Sequence, residues 1–135
     1  MIHYLKGFVL LTVLFLTTAC RVNKNGMTYN LDHEKETLQI TTLLNKEATF
    51  VLQTNPSTGY SWQTNFKQLG SAILVVTDSI NKPDHKPGWV GVPSNKVYTL
   101  KFLQKGVHTL EFNYLRVWEK GIPPIKQKTV VVTVE

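Results

Sequence analysis

Cysteine is all but missing from this 135-residue chain. The single one, Cys20, leaves no partner for an internal disulfide, so an exported domain made from this sequence must be held by its core alone. Long apolar runs are missing too. The longest, residues 7–16, is about half of the roughly 20 residues that a bilayer-spanning helix needs. Lys and Arg never gather into a run of five or six. The net charge of +6 is therefore spread along the chain and forms no nucleic-acid-binding arm. The four histidines, His3, His33, His85 and His108, are scattered, with no pair at metal-ligand spacing. A phosphate-cradling glycine loop and a serine elbow are also absent. No catalytic set can be assembled, so the chain is expected to be no enzyme and to need neither metal nor cofactor.

What is present divides the sequence in three. Residues 1–19 have a short polar head with His3 and Lys6, an apolar stretch, and a small, polar end at Thr17, Thr18 and Ala19, the plan of a secretory signal. Cys20 follows where cleavage would occur. The junction resembles the lipobox of bacterial lipoproteins, with Thr17 where that pattern prefers Leu and Leu16 one step further out. The resemblance implies lipidation at Cys20, export, and attachment to a cell-envelope membrane through an N-terminal lipid. Residues 20–36 lack clear periodicity and are read as a lipidated Cys and tether. Residues 37–135 are expected to form one domain.

From Thr37 onward the period is two. Ala48, Phe50 and Leu52 alternate with polar residues, as do Tyr98, Leu100 and Phe102, and then Leu110, Phe112 and Tyr114. Residues 128–134 are nearly all β-branched, and 37–44, 72–80 and 60–65 are further strand candidates. No window keeps a spacing of three and four, so no helix is expected in the domain. About seven strands over about a hundred residues predict an all-β, immunoglobulin-like sandwich, with a small barrel as the other option.

Three loops stand apart. In Asn55-Pro56-Ser57-Thr58-Gly59-Tyr60, Pro56 fixes its own φ and drives Asn55 toward extended backbone, while Gly59 admits a positive φ. Asn55, Ser57 and Thr58 can each bond to nearby backbone, so the tip braces itself. Residues 81–95 form a long segment without a strand pattern, carrying Trp89 and Gly91-Val92-Pro93-Ser94. Trp89 is read either as a lid on the core or as a contact residue. In Arg116-Val117-Trp118, strand parity would bury Arg116, and a buried unpaired Arg is costly, so the strand should end here. Arg116 could stack on Trp118 and pair with Glu119, or both could face a partner.

In order and spacing these loops resemble the chagasin family of cysteine-peptidase inhibitors over roughly residues 37–134. The segment from Asn55 to Tyr60 matches the family's first motif in full. Gly91 to Ser94 keeps only the leading glycine of a Gly-x-Gly-Gly form, and Val117 stands where the family has Pro. The resemblance implies an immunoglobulin-like fold and a reversible inhibitor of papain-like cysteine peptidases, with the three loops pressed as a wedge into the active-site cleft. Asn55, Pro56, Ser57, Thr58, Gly59 and Tyr60 would then sit over the catalytic centre. Gly91, Val92, Pro93 and Ser94 would meet one wall, and Arg116, Val117 and Trp118 the other. Two other readings stand beside it. One is a lipid-anchored binding module of the envelope without inhibitory activity; the other is a structural envelope protein whose loops merely cap the sandwich.

Overall fold

The computed structural model describes residues 26–84 and 86–135. The signal segment and the Cys20 anchor lie outside the described residues. Eight strands form two four-stranded sheets: β1 (Met27–Asn30), β2 (Thr37–Thr42), β3 (Glu47–Thr54), β4 (Ser61–Thr64), β5 (Ile73–Asn81), β6 (Ser94–Phe102), β7 (Gly106–Leu115) and β8 (Lys126–Val134). One sheet has the order β1-β3-β6-β5, the other β2-β8-β7-β4. Pairing is antiparallel except for β1 on β3 and β2 on β8, which run parallel.

The period-two pattern is what makes the two layers. Phe50 and Leu52 of β3 and Leu100 and Phe102 of β6 turn inward from one sheet, and all four are fully buried. Leu110 and Phe112 of β7 and Val130 and Val132 of β8 meet them from the other. Phe50 and Phe112 touch across the layers with ring centroids 5.8 Å apart. Each such side chain contributes about 1.5–3 kcal/mol by leaving water, which is how the domain stands without a disulfide.

The expected sandwich is present, with four differences. It has eight strands rather than about seven, and the extra one is β1. The stretch from Met27 to His33, read from sequence as tether, belongs to the domain. Leu31, at the head of a short 3-10 turn (Leu31–His33), is buried in the core, and the Asp32 carboxylate accepts the backbone N–H of Gln53 at 2.5 Å. A four-residue strand is too short to display a period, and its ladder partner lies 21 residues away in sequence. Thirdly, a single helical turn, α1 (Phe66–Leu69), sits where no helix is expected; it buries Phe66 edge-on against Tyr98 and Phe112. Finally, the segment 81–95 is shorter as a loop, because β5 runs to Asn81 and β6 opens at Ser94.

Candidate functional site

Strand register gathers the three loops at one end. Thr54, the last residue of β3, faces Ser94, the first of β6, and Asn81 at the end of β5 faces Asn95. In the other sheet Ser61, the first residue of β4, faces Leu115, the last of β7. Loop 1 (residues 55–60), loop 2 (82–93) and loop 3 (116–125) therefore emerge side by side.

Loop 1 stands between the other two and bonds to both. Pro56–Thr58 form one 3-10 turn, with Asn55 extended (φ −131°, ψ 92°) and Gly59 left-handed (φ 80°). The Thr58 hydroxyl donates to the Asn55 carbonyl at 2.7 Å, and the Ser57 hydroxyl donates to the Asn55 side-chain oxygen at 2.7 Å. On one flank the Asn55 amide group donates to the Gly91 carbonyl of loop 2 at 3.1 Å. On the other, Arg116 donates from Nε to the Thr58 carbonyl at 3.1 Å and lies over the Tyr60 ring, 4.4 Å from its centroid. Beneath the loop, the Tyr114 hydroxyl accepts the backbone N–H of Asn55 at 3.0 Å.

Arg116 thus serves its own molecule. The expected pair with Glu119 forms, with Nη1 3.0 Å from Oε1, while the stack is on Tyr60 and not on Trp118. Hydrogen bonding to Glu119 holds the guanidinium pKa above its ordinary value, so the group is a permanent cation. The strand ends at Leu115, and Arg116 stays partly exposed rather than entering the core.

Gly59 is required twice over. Its φ is one that side-chain-bearing residues rarely adopt, and a Cβ there would overlap the ring edge of Trp118. Trp118 is nevertheless 62% exposed, so its outer face is available. Across loop 1 stands Trp89, 61% exposed; the lid reading is therefore overturned and the contact reading remains. Between Pro56 and Trp89 runs a cleft of about 130 Å³, with Asn55, Ser57, Lys82 and Gly91 also on its walls.

Not every expected residue reaches this surface. Pro56, Ser57, Thr58, Gly91, Pro93, Val117 and Trp118 are exposed, and Asn55, Gly59, Tyr60, Val92 and Arg116 are half-buried. Ser94 is buried and paired in register with Thr54 as the first residue of β6, so it belongs to the strand rather than to loop 2 and reaches this surface only in the lining of that cleft. Reading by sequence also misses Tyr114 as part of the site, since parity alone places it in the core. A Tyr instead of a Phe at a strand end was the available signal, because a buried hydroxyl seeks a partner.

The chagasin family of peptidase inhibitors, I42, matches residues 41–134 of this chain. The chain belongs to that family. It is a peptidase inhibitor by descent and not an enzyme. Amoebiasin-2 of Entamoeba histolytica is 33% identical over 130 residues, covering 96% of this chain and 99% of the relative. The crystal structure of the cysteine protease inhibitor EhICP2, also from Entamoeba histolytica, superposes with a TM-score of 0.65 at 31% identity, over 81% of this chain and 95% of that one. The structure of Leishmania mexicana ICP has a TM-score of 0.51 at 26% identity, over 76% and 91% of the two chains. The two-sheet fold of this chain is thus similar to that of these solved structures.

Proposed function

We propose that this protein inhibits papain-like cysteine peptidases reversibly, by pressing loops 1, 2 and 3 into the active-site cleft. One observation carries the reading: loop 1 is held in a single shape by Gly91, Tyr114 and Arg116 while its tip, Pro56 to Thr58, is left exposed. A loop already ordered loses little entropy on docking, so contact energy is kept for affinity. In this reading Asn55, Pro56, Ser57, Thr58, Gly59 and Tyr60 cover the catalytic centre. Gly91, Val92 and Pro93 approach one wall, with Trp89 beside them. Val117 and Trp118 approach the other, and Arg116 acts chiefly by positioning loop 1. The three loops are wide enough in residue number for an interface of about 1,600 Å² in total. The match to a peptidase-inhibitor family and the kinship with a cysteine protease inhibitor support this target class. The test is protection of the catalytic thiol. A papain-like peptidase saturated with the protein should resist alkylation by iodoacetamide; alkylation at the free-enzyme rate in a saturated complex would place the loops elsewhere.

We further infer that the protein is exported and held at a cell-envelope membrane by a lipid on Cys20. The apolar run at residues 7–16, followed by small residues and Cys20, supports this, and the direction in which the chain enters the fold is compatible with it. β1 runs parallel to β3, with Met27 level with Ala48, whereas loop 1 follows Thr54. Strands rise about 3.4 Å per residue, so the entry point and the loops are roughly 24 Å apart, at opposite ends. An anchor at Cys20 would then present the loops away from the membrane. Cells fed labelled fatty acid should label the protein but not its Cys20→Ser variant; equal labelling of both would refute lipidation at that residue.

A further inference from the structure

The charges around the loops are lopsided. Loop 1 carries none. Lys82 and Lys86 of loop 2, Lys120 of loop 3, and Lys126 at the start of β8 are all exposed, and the only exposed carboxylate among loop residues is that of Asp84. Four lysines against one aspartate leave three positive charges uncompensated. The other charges at this end are neutralised within the fold: Lys96 pairs with Asp78, and Arg116 with Glu119. Among the described residues none of the four lysines forms an ion pair; Lys126 only stands over the Tyr114 ring, 5.8 Å from its centroid. The tip of the wedge is therefore neutral and its flanks are cationic.

We propose that these flanks select, among papain-like peptidases, those whose active-site cleft is bordered by carboxylates. The proposal rests on the inhibitor reading above and names the kind of partner that this surface fits. Unpaired cations on both sides of a neutral tip attract an acidic rim before contact and orient the tip over the groove between. The cleft between Pro56 and Trp89 gives the attraction a place to end. Pro56, Trp89 and Val92 on its walls suit the stem of a Glu or Asp from the peptidase, with the Lys82 ammonium and the polar groups of Asn55 and Ser57 available to the carboxyl end. Because these lysines are solvent-exposed, salt screens them, and their effect falls mainly on the association rate.

Two papain-like peptidases serve as probes, one with carboxylates along both rims of its cleft and one with neutral rims. Stopped-flow association of the intact protein with the acidic-rimmed enzyme should slow about tenfold between roughly 0.02 M and 0.5 M salt. The double variant Lys86→Glu, Lys120→Glu, which spares Lys82 on the cleft wall, should slow that association about tenfold at low salt, remove most of the salt dependence, and leave the dissociation rate and the circular dichroism spectrum unchanged. With the neutral-rimmed enzyme both proteins should associate alike. Inhibition of both enzymes with association rates indifferent to salt and to charge reversal would overturn the selection while leaving the inhibitor reading intact. A wild-type protein that inhibits neither enzyme would overturn both.

Discussion

The backbone N–H of Asn55 ends on the hydroxyl of Tyr114, 3.0 Å away, and so ties the tip of loop 1 to the end of β7. Tyr114 is itself wedged between Tyr60 and Trp62, with ring centroids 5.4 and 4.8 Å from its own. Its hydroxyl therefore has little freedom, and neither has the amide it accepts. Tyr114→Phe keeps the packing and removes the acceptor. An amide left unpaired in a part-buried site costs about 1–3 kcal/mol, which the loop can recover only by changing shape. The variant should fold with an unchanged β-type spectrum and inhibit about tenfold less well, as read from its inhibition constant. Unimpaired inhibition would show that the loop does not depend on this bond.

Gly59 tests the contact between loops 1 and 3. In Gly59→Ala the new methyl group would meet the Trp118 ring, and the left-handed backbone would cost about 1 kcal/mol besides. Trp118 should be displaced, with a shift in its fluorescence emission and a loss of binding of about 2 kcal/mol or more. An emission spectrum like that of the wild type would contradict the packing described.

Trp118 offers an exposed aromatic face beside the tip, and residues of this type anchor interfaces. Trp118→Ala should weaken inhibition by about 2 kcal/mol, roughly thirtyfold. Thermal stability should change little, because most of the ring is already in water. A large fall in melting temperature would mean that the residue supports the fold instead.

How much of this was legible in the sequence depends on the range of the interaction. Alternations such as Ala48-Phe50-Leu52 and Leu110-Phe112-Tyr114 are legible because burying one sheet face repeats every second residue. The bends at Asn55 and Gly59 follow from the backbone limits of Pro and Gly, and both have the expected geometry. What was hidden lies in contacts between segments far apart in the chain. Arg116 finds Tyr60 rather than its neighbour Trp118, and Tyr114 finds Asn55, 59 residues away. Ser94 looked like loop because Pro93 precedes it, yet the β3 ladder takes it up as far as Thr54. β1 was hidden for the same reason, since its four residues gain meaning only beside β3.

The placement of β1 and Leu31 inside the domain has a measurable consequence. A chain beginning at Gly26 should unfold in one cooperative transition, whereas one beginning at Thr37 lacks a sheet strand and the buried Leu31. Loss of that side chain alone is worth about 2 kcal/mol or more, so the shorter chain should be destabilised by at least that much in urea. Equal stability of the two would return residues 27–36 to the role of tether.

Inhibition of a papain-like peptidase by the intact wild-type protein is the most direct measurement. Residual activity should fall with added protein to a reversible, dilution-sensitive plateau. The inhibitor should emerge uncleaved after prolonged incubation, and a serine peptidase assayed in parallel should be unaffected. Full activity of every papain-like peptidase tried, with the β-sandwich intact by circular dichroism, would contradict the account.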